Sequence, residues 1–250
     1  MRNVEICLET QNQMLCLENL DKLIDCGVKR VELCDNMVED GLTPSMKTVE
    51  AACNYVDKRR FFSFEKPELV VMIRLHNADF TVTQAQLSQM RSQIRDASNA
   101  GAEGVVFGIL NRSNNVDRTA MMSLCKEAID CNLNISFHRA FDALDDGDND
   151  ISTLLEMGVK RLLSSGTPWQ SKQNATIGLY NLNRILKKLP KNRQLIVGGG
   201  VNVNNASIIE SNLIKSATHT KQLWLHAYSG VLSDNKVCPK LTRQLVNNPL

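Results

Sequence analysis

Gly27-Val28-Lys29-Arg30-Val31-Glu32-Leu33-Cys34 compresses a helix end, a tight loop and a buried strand into one stretch. Before it, residues 11–26 carry Met14, Leu17, Leu20 and Leu23 at helical spacing. A glycine placed there supplies the left-handed cap that ends a helix. After it, Val31-Glu32-Leu33-Cys34 is short and apolar enough to read as a strand. The same grammar returns at Gly101-Ala102-Glu103-Gly104-Val105 and at Gly158-Val159-Lys160-Arg161-Leu162. The strand phrase also has an earlier copy, Val4-Glu5-Ile6-Cys7. Strand side chains alternate, so Glu5 shares a face with Cys7, and Glu32 shares one with Cys34. A glutamate walled by aliphatic residues needs a partner. Two such strands in succession point to a polar cluster at the end of a parallel sheet.

Extending the pattern gives strands at roughly 3–8, 30–34, 69–74, 104–108, 134–138, 161–165, 194–198 and 222–226. Helices are predicted at 11–26, 44–58, 83–99, 118–131, 149–157, 174–189 and 203–212, with Thr43 capping the second and Pro44 at its first position. Alternating strands and helices without a Pro/Gly-rich linker specify the α/β class. Eight such units in 250 residues have the size of a single (β/α)8 TIM barrel, one domain over 1–250 with residues about 230–250 packed outside as a tail. An open doubly wound sheet shares this local pattern, but no Gly-rich dinucleotide fingerprint follows the first strand. Gly-Val-Lys-Arg before strands two and six hints at a half-barrel repeat.

A composition of 43% hydrophobic and 22% charged residues is that of a globular protein. A net charge of +2 argues against nucleic acid as a partner. No apolar run approaches the roughly 20 residues of a membrane span, and Met1-Arg2-Asn3-Val4-Glu5 begins a strand rather than a signal peptide. A cytoplasmic protein is expected. The eight cysteines form no Cys-x-x-Cys pair. Cys16, Cys26, Cys53, Cys125 and Cys131 fall in helical stretches, where they read as small buried or semi-buried hydrophobes.

In a barrel the chemistry gathers at the C-terminal strand ends. Those ends offer Glu5, Cys7, Glu32, Cys34, Arg74, His138, Arg139, Asp142, Ser164-Ser165-Gly166, Gly198-Gly199-Gly200 and His226. The triple glycine is either a tight turn or an anion cradle ahead of a helix starting near Asn202. Ser164, Ser165, Gly166 and Thr167 would add donors to the same anion.

These residues carry a resemblance. Val-Glu-Leu-Cys followed by Glu39-Asp40-Gly41-Leu42-Thr43-Pro44-Ser45 resembles the CutC family, named for copper homeostasis. So do Val71-Met72-Ile73-Arg74 with Asp79-Phe80, the phrase Phe137-His138-Arg139-Ala140-Phe141-Asp142, and Leu163-Ser164-Ser165-Gly166 with the triple glycine. The motifs run in order from residue 4 to residue 226. The resemblance implies a cytoplasmic (β/α)8 barrel that self-associates as a homo-oligomer, with copper as its ion. It further implies that Glu5, Glu32, Cys34, Arg74, His138, Arg139, Asp142 and His226 form the family's polar cluster. The chain departs from the family at His76-Asn77-Ala78, where an arginine and two glycines are usual, at Trp224-Leu225-His226-Ala227, where a carboxylate and a thiol or hydroxyl are missing, and at Asp40, which replaces a glycine.

Two functions follow. In the first, Cys7 and Cys34 on adjacent strands share one Cu(I), with His226 as a further metal ligand. Cys34 then matters most and Cys7 next. In the second, the barrel is an enzyme acting on a small anionic metabolite, phosphorylated ones included. Glu5, Glu32, Arg74 and His138 supply acid–base or metal-assisted chemistry, and Arg139, Asp142, Ser164, Ser165, Gly166, Gly198, Gly199 and Gly200 bind the ligand. Buried charges must pair, so Glu5, Glu32, Arg74 and His138 are expected to form one connected cluster, with Arg74 holding the carboxylates.

Overall fold

A computed structural model describes residues 1–61, 64–145, 147–214 and 222–247. Eight parallel strands close on themselves in chain order. They are β1 (Val4–Glu9), β2 (Arg30–Cys34), β3 (Glu68–Met72), β4 (Gly104–Phe107), β5 (Asn134–Phe137), β6 (Arg161–Ser164), β7 (Gln194–Val197) and β8 (Leu223–Ala227). The helices are α1 (Gln13–Asp25), α2 (Met46–Lys58), α3 (Gln84–Asn99), α4 (Arg118–Asp130), α5 (Gly147–Glu156), α6 (Leu179–Lys188), α7 (Ala206–Ile214) and α8 (Pro239–Asn247). The fold is a TIM barrel, and the open-sheet alternative is gone: β1 pairs with β2 on one side and with β8 on the other.

The junction glycines do what their positions require. Gly27, Gly101 and Gly158 have φ of +76°, +95° and +96°. The strand alternation also holds. Val4, Ile6, Leu8, Val31, Leu33, Leu69 and Val71 belong to the large core between strands and helices. The intervening residues point into the barrel. Cys7, Cys34, Val70, Met72 and Val106 make one small interior cluster, and Leu163, Ile196 and Trp224 make another.

Several boundaries differ from expectation. Helix α2 begins at Met46, after Ser45 rather than Thr43. The Thr43 hydroxyl is engaged by the end of β3, accepting from the Arg74 amide at 2.8 Å, while the Thr43 amide donates to the Arg74 carbonyl at 2.9 Å. Helix α7 starts at Ala206, because Asn202 to Asn205 form a turn in which the Asn205 side chain accepts the Asn202 amide at 2.9 Å. Helix α6 is shorter than the predicted 174–189 segment. Gln170 and Lys172, with φ of +64° and +58°, belong to the irregular stretch before it. The segment expected as a tail contains a two-stranded hairpin, Leu232–Ser233 with Lys236–Val237, and α8. Its residues 248–250 lie outside the described residues. Helix α8 meets the first residues of the chain, where Arg2 donates to the carbonyls of Val246 and Leu245.

Candidate functional site

Inside the barrel, the inward face of β2 carries Arg30, Glu32 and Cys34. Arg30 lies two residues before Glu32, so strand parity brings all three onto one line. The guanidinium of Arg30, 2% exposed, binds Glu5 at 3.1 Å and Glu68 at 2.7 Å, donates to Gln194 at 3.0 Å and lies 3.8 Å from the Trp224 ring centroid. Arg161 joins Glu68 at 2.6 Å, and Asn134 donates to Glu68 at 2.8 Å. These groups come from the first residues of β2, β3, β5, β6 and β7 and form a polar layer beneath the mouth. None of Arg30, Glu68 and Arg161 was expected as a site residue, although the parity of Arg30 with Glu32 was available.

Above that layer, His226 Nδ1 bonds Glu5 at 2.8 Å and lies 3.5 Å from Glu32 Oε2. The two glutamates are pushed apart. Burial acts to raise Glu5, but the His226 hydrogen bond and the charges of Arg30, His226 and Arg161 outweigh it and hold the carboxyl at about 2. Glu32 is raised by burial and by the Glu5 charge, which together exceed the pull of His226. Its Oε2 has no hydrogen-bond partner. Burial opposes protonation of His226, but its contacts with Cys7 and Glu5 and the charge of Glu32 raise it well above the ordinary histidine value.

Three sulfurs meet beside Glu32. Cys7 Sγ lies 3.1 Å from Cys34 Sγ and 3.3 Å from Met37 Sδ. The Cys34 thiol donates to Glu32 Oε1 at 3.1 Å. Burial, Cys7 and Glu32 push this thiol well above its usual range. Met37 sits on a short 3-10 turn, Met37–Glu39, between left-handed Asn36 and Asp40. Glu9 pins that turn by accepting the Met37 amide at 3.2 Å and the Tyr228 hydroxyl at 3.2 Å. Two donor groups suited to a metal ion result: Cys7, Glu32 and Cys34; and Glu5, Glu32 and His226. His226 therefore joins the carboxylate group rather than the sulfur group.

Arg74 and His138 stand elsewhere on the wall, so the single cluster expected of Glu5, Glu32, Arg74 and His138 does not form. Arg74 lies past the end of β3, and its guanidinium reaches backbone carbonyls instead of the two glutamates. The carboxylates are held by Arg30, which starts β2. His138 accepts the Ala140 amide on Nδ1 at 3.1 Å. Burial, followed by the Arg74 charge, drops it to about 3, so its ring is neutral.

The serine side of the expected anion cradle is filled from within the chain. Asp142 accepts from Ser164 Oγ, from the Ser165 amide at 3.0 Å and Ser165 Oγ at 2.8 Å, and from Arg139 Nε at 2.9 Å. The Gly166 amide donates to Ser164 Oγ at 2.9 Å. The donors assigned to a ligand thus serve the Asp142 carboxylate, which the chain order places one strand earlier. Gly198 donates its amide to the Ser164 carbonyl at 3.0 Å. Gly199 and Gly200 have φ of +86° and +74° and border the mouth. The mouth is a cavity of ≈ 170 Å³ that brings Cys7, Glu32, Cys34, Met37, Arg74, His138, Arg139 and His226 together with Phe80 and Trp169. The last two aromatic residues and Met37 come from irregular loops that strand-end reasoning could not reach.

Comparison with known proteins gives the family. A family model described as the CutC family matches residues 2–223. A CutC family protein of Vibrio atlanticus is 30% identical over 208 residues, covering 82% of this chain and 79% of the relative. The human copper homeostasis protein cutC homolog is 31% identical over 194 residues, covering 76% of this chain and 66% of the relative. A crystal structure of a CutC protein from Streptococcus agalactiae superposes with a TM-score of 0.75 at 25% identity, over 90% of this chain and 98% of that one. A 3-hexulose-6-phosphate synthase, 13% identical with a TM-score of 0.66, shares the fold alone.

Proposed function

The chain belongs to the CutC family, and from that premise we propose that it carries a monovalent copper ion as cargo in the barrel mouth, held by Cys7 and Cys34 with Met37 as a third sulfur. One observation carries the reading: Cys7 Sγ has a second thiol at 3.1 Å and a thioether at 3.3 Å. Soft thiolate and thioether donors select Cu(I) over the harder divalent ions. Glu32, with one oxygen unpartnered beside the thiols, completes a donor set suited to a cation. The name of the human relative, a copper homeostasis protein homolog, agrees in kind. The reading includes cytoplasmic residence, self-association as a dimer or tetramer, and no nucleic-acid or membrane partner. The absence of those partners draws on the net charge of +2 and on the lack, among the described residues, of any helix long and apolar enough to cross a membrane, whereas residence and self-association follow the family resemblance.

The test is Cu(I) competition against a chelator. Cys34→Ser and Cys7→Ser are expected to lose at least tenfold in affinity, Met37→Leu to lose less, and Cys125→Ser, on outer helix α4, to match wild type. Unchanged affinity in Cys34→Ser, or equal loss in all four variants, rejects the sulfur site.

The split between Glu5 and Glu32 favours a second reading. A carboxylate held ionised beside one that burial and the neighbouring charge make harder to ionise, with His226 between them, is a division of acid and base roles. The protein would then be an enzyme using acid–base chemistry on a small anionic molecule, and Glu32→Gln would remove turnover.

A further inference from the structure

Four arginines are buried among the described residues, and one differs from the rest. Arg2, Arg30 and Arg161 each hold a carboxylate, Glu210 at 2.8 Å, Glu68 at 2.7 Å and Glu68 at 2.6 Å respectively. Arg74, only 6% exposed, makes no ion pair within the described residues. Its Nε has no hydrogen-bond partner. Its two terminal nitrogens reach the carbonyls of Asp40 and Asn77 at the long distances of 3.3 and 3.4 Å. The Asp40 carboxylate, Cys34 and Glu39 act on it only through space, and Asp40 is exposed to solvent. A guanidinium taken out of water without a counter-charge is costly. A planar fork with donors to spare is also the shape that receives an oxyanion.

The surroundings define which oxyanion. Arg74 borders the ≈ 170 Å³ mouth cavity together with His138, Phe80 and Trp169. Its guanidinium carbon lies 5.2 Å from the Phe80 ring and 5.9 Å from the Trp169 ring, and the two rings meet edge to face at 5.0 Å. An aromatic wall beside a cationic donor suits a flat organic body carrying one acid group. His138 accepts on Nδ1 from Ala140, so the proton of its neutral ring sits on Nε2 as a further uncharged donor. The amides and hydroxyls that a phosphate would gather, at Ser164 to Gly166, are already committed to Asp142 and to each other.

We propose that Arg74 anchors a second binding site in the barrel mouth, for a small carboxylic acid whose flat body lies against Phe80 and Trp169. This site shares the mouth cavity with the three sulfurs but uses other side chains and does not need the metal. It gives the acid–base reading a substrate class.

The probe is benzoate, titrated into the full metal-free chain and followed by calorimetry and by the melting temperature, with acetate and inorganic phosphate in parallel. Benzoate is expected to bind wild type and Cys34→Ser alike, about tenfold or more tighter than acetate, which lacks the ring. Arg74→Met keeps the apolar stem of the side chain. It is expected to melt no lower than wild type and to show no benzoate shift. Arg74→Lys keeps the charge without the fork and is expected to bind roughly tenfold more weakly than wild type. An absence of benzoate binding by wild type, a benzoate shift that survives in Arg74→Met, or preference for inorganic phosphate overturns the proposal. So does an Arg74→Met protein that melts well below wild type, since the guanidinium would then be structural. Failure of the Cu(I) competition leaves all of these outcomes readable, so the two readings fail separately.

Discussion

Replacing Arg30 with methionine tests the electrostatic plan of the barrel interior. The substitution keeps the stem packed on Trp224 and removes one charge that serves two carboxylates, Glu5 at 3.1 Å and Glu68 at 2.7 Å. Removing one partner of a buried ion pair costs about 3–5 kcal/mol. Here both carboxylates keep a second partner, His226 for Glu5 and Arg161 for Glu68. The expected loss is therefore near the lower limit, about 3 kcal/mol. The depression of Glu5 from 4.5 to about 2 is of similar size, about 3 kcal/mol for all its partners net of burial. For a chain of 250 residues such a loss lowers the melting temperature by roughly 6–12 °C. The pH dependence supplies the sign. The folded value of Glu5 lies below its ordinary one, so its contribution is complete above about pH 4.5 and is lost as pH falls towards 2. The gap between wild type and Arg30→Met should thus be widest near neutrality and narrow in acid. The assay is urea or thermal denaturation of both proteins at pH 7 and in steps below pH 5, with Arg74→Met as the comparison. Equal melting of Arg30→Met and Arg74→Met at pH 7, or a gap that widens in acid, would refute the reasoning.

Three further outcomes follow from the geometry. Asp142→Asn removes the charge that collects Arg139, Ser164 and Ser165, and is expected to cost about 2–3 kcal/mol in chemical denaturation. Gly199→Ala must hold φ at +86° with a Cβ 2.7 Å from Ser165 Cβ, and should cost about 1–3 kcal/mol, visible as a lower urea midpoint. Glu32→Gln keeps the acceptor for the Cys34 thiol but cannot ionise. Because the folded value of Glu32 is raised, its ionisation weakens the fold as pH rises, so the variant should gain on wild type in stability between acid and neutral pH.

The barrel was legible because its signals are local. A glycine after an amphipathic helix and a four-residue apolar run need no knowledge of the rest of the chain, and Gly27, Gly101 and Gly158 took the left-handed conformation their places demanded. Parity within a strand was equally local, so Glu5 with Cys7 and Glu32 with Cys34 came out facing inwards together. Pairing across strands was not legible. Whether Glu5 meets Arg30 or Arg74 depends on register, and register places Glu5 beside Arg30 and His226. The sequence places Arg74 in a strand it lies beyond, and it opens the second strand at Arg30 without marking that residue as part of a site. Met37 and Trp169 belong to loops shaped by residues at positive φ, Asn36, Asp40 and Gln170 among them, and no periodicity marks such loops. Asp142 was read as part of a ligand site because its partners lie on the next unit, and only the closed barrel shows that it is itself the anion they bind.

Closure of the barrel imposes an order in time. The first strand of the barrel, β1, has one edge satisfied only by β8, through Val4 with Leu225, Glu5 with His226 and Ile6 with Ala227. At about 5–20 residues per second, a ribosome takes roughly 10–40 s to pass from one strand to the other. Through that interval the nascent chain exposes an unpaired strand edge, the kind of surface on which other chains assemble. The histidine that locks Glu5 arrives last, so the polar interior is finished in the same event that seals the seam. A ribosome-stalled chain ending before residue 223 should therefore bind chaperone in proportion to this edge, and release it once β8 has emerged.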